Sequence, residues 1–195
     1  QDIEKWSRQF LAQLDEDNKN YFLEKDLTGQ FLRKLDNPVY ERKIFRKMAS
    51  NQTLVNYVEQ LIGQGVCIYF SQIFCKPPLG SAPKCIHQDN IYFGPDDPDG
   101  MVTAWIALDE STIDNGCLFF SEKTHKEPVY PHIAPEGEPF NLQVPLDIAS
   151  EYPMTPAPVP SGGVSFHHGN IFHKSSANRS NTWRRAAAFH YANRK

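Results

Sequence analysis

The apolar positions change period part-way along the chain. Near the start, Trp6, Phe10, Leu11 and Leu14 recur at helical spacing, which predicts a helix with one buried stripe. Leu54, Val55, Val58, Leu61 and Ile62 predict another, with Ser50 or Asn51 placed to cap its first turn and Gly63 to end its last. Between them, residues 16–46 mix charged and apolar side chains without a clear period. The first 63 residues are therefore expected to form a helical buttress. From Val66 the texture becomes β-branched and aromatic: VCIYFSQIF runs until Pro77-Pro78-Leu79-Gly80 stops it. Further strands are expected over 85–92, 102–108, 117–121, 164–167, 171–174 and 185–191, separated by turn signals such as Asp114-Asn115-Gly116 and Ser161-Gly162-Gly163. Helices first and many short strands after predict one domain over 1–195: a β-sandwich or barrel core from residue 64, buttressed by helices.

Nine of the fifteen prolines fall between residues 126 and 160. Such a density cannot sustain a central strand and sustains an edge strand poorly. This stretch is expected to be a lid over a binding site or a stiff surface connection. Its histidines, His125 and His132, are expected to be solvated.

Charge and cysteine usage narrow the class. Twenty basic against twenty-three acidic residues, with no long run of either sign, leave no electrostatic footprint for nucleic acid. No apolar stretch approaches the roughly 18 residues that suggest a membrane span. Cys67, Cys75, Cys85 and Cys117 show no C-x-x-C spacing and are expected to be free thiols in a reducing compartment, which points to the cytoplasm. The chain opens on Gln1, so a preceding segment is expected. Oligomeric state is not legible.

The candidate chemistry is concentrated in His87-Gln88-Asp89, answered by His173 and then, eleven residues further on, by Arg184. A histidine and a carboxylate two apart on a strand share a sheet face. A second histidine from a later strand would complete three ligands on one side of a metal. Two imidazoles and one carboxylate with positions left open suit Fe(II) and dioxygen chemistry. An isolated H-x-D is weak evidence; the full set of types and spacings is not. Arg184 would hold the far carboxylate of a 2-oxoacid cosubstrate in a bidentate fork that lysine cannot form. Arg185 points to the opposite face, and Arg179 is a further competitor. Ser175 shares the face of His173 and could donate to the same carboxylate. His167 and His168 are expected to pack or to support ligands, and His190, an even number of residues from Arg184, to line the barrel. Phe70 and residues 90–93 could form a substrate pocket, with Ile91 and Phe93 on the strand face of Asp89.

The stretch from KCIHQDNIYF through the AWIALD strand and the DNGCL turn, followed by GGVSFHHGNIFHKSS and the arginine of WRRAAAFHYA, resembles the phytanoyl-CoA dioxygenase family of Fe(II)/2-oxoglutarate oxygenases. The likeness covers roughly residue 34 to the C-terminus. It implies a mainly β fold with flanking helices, a double-stranded β-helix (jelly roll, cupin-like). It places the iron ligands on His87, Asp89 and His173, and the 2-oxoglutarate contacts on Arg184 and Ser175. Trp105 would be a further pocket wall, and Gln72 and Lys34 further cosubstrate positions, Lys34 in a helical region. The expected function is hydroxylation of a small-molecule or natural-product substrate with 2-oxoglutarate and O2, giving succinate and CO2. Desaturation, epoxidation or cyclisation would use the same site. Alternatives are an acyl-CoA hydroxylase, for which no basic cluster suited to the CoA diphosphate is evident, and a non-oxygenase, cupin-like metal-binding protein.

Overall fold

The computed structural model describes residues 2–14, 22–26, 29–136 and 141–194. Helix α1 (Asp2–Leu11) comes first. A hairpin of β1 (Leu23–Asp26) and β2 (Gly29–Leu32) and the short strand β3 (Lys34–Asp36) follow it. Then come helices α2 (Pro38–Glu41), α3 (Lys43–Ala49) and α4 (Gln52–Ile62). The Asn51 side chain accepts from the amides of Thr53 and Leu54 to cap α4, and Gly63, at φ 89, closes it. The expectation of a helical buttress over the first 63 residues is corrected: Leu23–Asp26, Gly29–Leu32 and Lys34–Asp36 are strands. Their mixed composition hides this, because β3 alternates Lys34 and Asp36 on one face with a single buried Leu35 on the other.

The rest is β4 (Val66–Lys76), β5 (Lys84–His87), a helical turn α5 (Asn90–Phe93), β6 (Met101–Ala107), β7 (Leu118–Phe120), helix α6 (Leu146–Ala149), β8 (Thr155–Ala157), β9 (Val164–His168), β10 (His173–Ser175) and β11 (Arg184–Asn193). Two antiparallel sheets result, ordered β3-β4-β11-β6-β9 and β5-β10-β7-β8. They form the jelly roll that the pattern of short strands anticipates. The proline-rich stretch supplies α6 and the edge strand β8, where Pro156 lies opposite Phe119.

Strand alternation sorts the large sheet into two chemistries. Its outer face presents Leu35, Ile73, Ala187, Phe189, Tyr191, Ala104 and Ile106, which pack with Trp6, Phe45, Leu54 and Val58 of the helices. The hydroxyl of Tyr191 donates to the carbonyl of Ala49 at 2.7 Å, tying the last strand to α3. The inner face meets the small sheet in a cluster of Trp105, Ala107, Ala186, Ala188 and Leu118, with Phe74 and Phe120 against it. Cross-strand register stacks the inner residues in rows: Arg184 with Lys76; then Lys34, Phe74, Ala186 and Ala107; then Asp36, Gln72, Ala188, Trp105 and Ser165; then Phe70, His190, Thr103 and His167. At the last row the pairing slips: Phe70 faces His190, but Ile68 faces Tyr191, leaving Tyr69 as an extra residue. This bulge returns Ile68 to the outer core while Phe70 stays inside.

Candidate metal centre

His87 is the last residue of β5, and His173, the first of β10, lies directly opposite it. Asp89 is not on a strand. Its φ of −61° and ψ of −34° are helical, and it opens the turn α5. The expectation that 85–92 is one strand, with His87 and Asp89 on a common pleat face, is therefore corrected. The chain instead curls after His87 and carries the carboxylate back over the strand end. Asn90 fixes the curl: its N–H donates to the carbonyl of Gly169 at 3.0 Å and its side-chain amide to Asn170 Oδ1 at 2.7 Å. Any Cβ at Gly169 would strike the Asn90 amide, so glycine is required where the two segments touch.

The three side chains converge. Asp89 Oδ1 lies 3.6 Å from His87 Nε2 and 3.5 Å from His173 Nε2, and the three donor atoms lie within 4.8 Å of one another. All three residues are buried. His87 Nδ1 is 2.9 Å from the carbonyl of Cys85, and His173 Nδ1 is 3.0 Å from that of Ile171. A carbonyl only accepts, so each Nδ1 carries the proton and each Nε2 offers a bare lone pair. Burial, with His173 adding to it, pushes the pKa of His87 down to about 3, so its ring stays neutral. Burial also opposes ionisation of Asp89, but hydrogen bonding, that from His167 included, outweighs it and holds the carboxyl well below its ordinary value. Three lone-pair donors facing one another without intervening protons repel, and a cation at their focus resolves the conflict. The donor set thus fits a divalent metal, with its outer partners already aligned.

The second oxygen of Asp89 is held separately. Thr103 Oγ1 lies 3.1 Å from Oδ2 and His167 Nε2 lies 3.3 Å from it. His190 Nδ1 in turn lies 2.7 Å from Thr103 Oγ1. His190 lines the barrel, as its even spacing from Arg184 predicts, and burial pushes its pKa down to about 4. His168 turns away to Asp99 at 3.1 Å.

Gln88 does not face the metal site. Fully buried, it donates to the carbonyls of Pro128 and Asn170 and accepts from the amide of Tyr130. Its own N–H donates to His132 Nε2 at 3.1 Å. The expectation that His132 is merely solvated is corrected: it anchors the proline-rich segment to the H-x-D turn. The expected strand-face sharing of Ile91 and Phe93 also gives way. In the helical turn, Phe93 reaches the His190 ring (4.7 Å) and the Phe70 ring (6.2 Å), and Tyr92 lies edge-on to His87 at 6.0 Å.

Arg184 sits at the opposite end of the inner face, buried, with its guanidinium 5.5 Å from the Trp105 ring. Its Nε has no hydrogen-bond partner among the described residues, and burial pushes its pKa down to about 10. A buried guanidinium with an unfilled donor is a ready seat for a carboxylate. Arg185 points outward and is spent on Asp109 at 2.7 and 3.0 Å, as strand alternation predicts. Ser175 is buried two residues past His173. Lys34 lies on β3 rather than in a helix, its ammonium 3.4 Å from Asp36, and the Gln72 amide donates to the same Asp36 at 2.8 Å. Burial pushes the pKa of Lys34 down to about 8, against the pull of Asp36.

Sequence reasoning had no signal for Thr103, an ordinary strand residue by type. Only its register, between His190 and His167, reveals it.

Comparison with known proteins agrees with this architecture. The family model described as phytanoyl-CoA dioxygenase (PhyH) matches residues 3–186. The chain belongs to the phytanoyl-CoA dioxygenase family. It is 31% identical over 185 residues to a probable alpha-ketoglutarate-dependent hypophosphite dioxygenase of Stutzerimonas stutzeri, covering 90% of this chain and 63% of that protein. It is 30% identical to the peroxisomal phytanoyl-CoA dioxygenase of Bos taurus, covering 71% of this chain and 43% of the relative. The chain thus spans less than two thirds of the length of either. Among solved structures, the non-heme alpha-ketoglutarate-dependent carbocyclase SnoK from nogalamycin biosynthesis superposes with a TM-score of 0.74 at 22% identity, covering 97% of this chain and 76% of SnoK. EctD from S. alaskensis, solved with 2-oxoglutarate and 5-hydroxyectoine, gives 0.70 at 20% identity, covering 93% of this chain and 62% of EctD. At these identities the likeness establishes the fold. No helix among the described residues is long and apolar enough to cross a membrane.

Proposed function

We propose that this chain is an Fe(II)/2-oxoglutarate-dependent dioxygenase that hydroxylates an unactivated C–H bond of a small molecule. The observation that carries this reading is the pairing of two features on one barrel interior. Three mutually facing lone-pair donors stand at one level, and a buried guanidinium with an unfilled Nε stands at another. A hydrolase or a storage site would use the first feature but has no need of the second.

In this reading His87, Asp89 and His173 hold iron on one side and leave the opposite side open. When bound, iron and 2-oxoglutarate supply the oxidising chemistry, in which O2 is consumed, the cosubstrate becomes succinate and CO2, and one oxygen atom enters the substrate. Arg184 binds the far carboxylate of 2-oxoglutarate and Ser175 donates to it. The Trp105 ring beneath the guanidinium keeps that end of the pocket dry, which strengthens the ion pair. Gln72 and Lys34 border the same pocket, their heads steadied by Asp36. Thr103 and His167 occupy the outer oxygen of Asp89, so that the carboxylate offers the metal a single oxygen. The four cysteines, all free, fit a reducing compartment, and we place the enzyme in the cytoplasm.

Anaerobic titration of Fe(II) and 2-oxoglutarate into the protein tests the reading. A weak visible charge-transfer band should appear, and should fail to appear at the same concentrations in Arg184→Ala. Bound metal without any band in the wild type would overturn the assignment.

A further inference from the structure

The row of inner-face residues beyond the metal triad carries a polar group that the chemistry above does not use. Thr103 has one hydroxyl proton and two neighbours, Asp89 Oδ2 at 3.1 Å and His190 Nδ1 at 2.7 Å. An ionised carboxylate can only accept, so the proton goes to Asp89. The threonine oxygen must then accept from His190, which places the imidazole proton on Nδ1. His190 Nε2 is left as a bare acceptor. It is buried, and it has no hydrogen-bond partner among the described residues. His190 as a whole is 3% exposed. A buried acceptor left empty is unfavourable, so a donor belongs there.

Its location says which donor. His190 lies six residues along β11 from Arg184, about 20 Å at roughly 3.3 Å per residue. Its Nδ1 is only 3.9 Å from Asp89 Oδ2. Arg184, the cosubstrate end, and His190 therefore stand well apart on the inner face, with the metal triad beside His190. Around that ring are apolar walls: Phe70 stacked at 6.0 Å and Phe93 at 4.7 Å. From this arrangement, and resting on the oxygenase reading, we infer that His190 Nε2 is the acceptor that orients the substrate. The substrate accordingly bears a hydroxyl or N–H donor on an apolar body, close to the carbon that is oxidised. A carboxylate or phosphate at this point would meet a lone pair and be rejected.

Phenol and anisole are suitable probes, since they share a ring and differ in one donor. They would be titrated into protein loaded with Zn(II) and 2-oxoglutarate, with the His190 nitrogens followed by long-range 1H–15N NMR. The spectrum should show the Nδ1–H tautomer. Phenol should bind about tenfold more tightly than anisole and move the Nε2 resonance. His190→Phe, which keeps an aromatic ring between Phe70 and Phe93, should abolish the preference. Thr103→Val, which keeps the histidine, should mix the tautomers and weaken the preference. An Nε2–H tautomer, equal binding of the two probes, no response of Nε2 to either, or a preference that survives His190→Phe would each overturn the inference. The Fe(II)/2-oxoglutarate band, recorded on a metal-free portion of the same protein reconstituted anaerobically with Fe(II), separates this failure from failure of the oxygenase reading itself.

Discussion

At the scale of single residues, the lone-pair geometry around Asp89 and the emptiness around Arg184 make the sharpest demands. Arg184→Lys keeps the charge but loses the fork, so the 2-oxoglutarate concentration that half-saturates the charge-transfer band should rise at least about tenfold. An unchanged half-saturation would mean that a point charge suffices. Gly116 makes a different demand. Its φ is 93°, and a Cβ there would lie 2.6 Å from the carbonyl oxygen of Ser176 and 2.9 Å from Lys76 Cδ. Gly116→Ala should cost on the order of 2 kcal/mol or more in urea denaturation, because strain and collision act together. The residue scale also shows how far the sequence could be read. His87, Asp89, His173 and Arg184 announce themselves by type and spacing. The inward face of His190 follows from its even spacing from Arg184, but its pairing with Thr103 comes only from cross-strand register, which no local pattern encodes. Asp89 reaches its place beside His87 and His173 by a helical turn rather than by pleat alternation, so the local reason that the pleat argument gave for their convergence does not hold.

Between elements, Gln88 is the joint. It links the end of β5, the approach to β10 and the proline-rich segment through four hydrogen bonds, three from its side chain and one from its own N–H. Gln88→Leu keeps the volume and strands the Pro128 and Asn170 carbonyls and the Tyr130 amide. A loss of roughly 3 kcal/mol is expected, at about 1 kcal/mol or more for each group left unpaired. Hydrogen exchange at the Tyr130 amide should rise before global unfolding, and unchanged protection there would show that the segment is held by other means. Strands with clean alternation or β-branched runs, such as β4, β6 and β11, were legible within a few residues. The short strands β1, β2 and β3 were not, because their sequences mix charged and apolar residues without a clean alternation. The proline-rich stretch announced its irregularity, but not its attachment to the metal site.

For the molecule as a whole, the interior stores neutral imidazoles. Burial lowers the pKa of His87 to about 3, that of His190 to about 4, and that of His167 in the same direction. The unfolded chain protonates these rings near pH 6.5, while the folded chain does not. The stability they permit is therefore complete above about pH 6.5 and is lost as the pH falls towards 4, by up to roughly 1.4 kcal/mol per pH unit for each ring. The urea midpoint of metal-free protein should drop between pH 7 and pH 5, and a flat profile would contradict this account of the core. A last consequence concerns neighbours rather than ligands. On β8, the outermost strand of the small sheet, Pro156 carries no amide hydrogen, so a strand from another copy would find the donor ladder interrupted there. The proline-dense stretch thus leaves this edge without a continuous row of donors, and Pro156→Val would restore one.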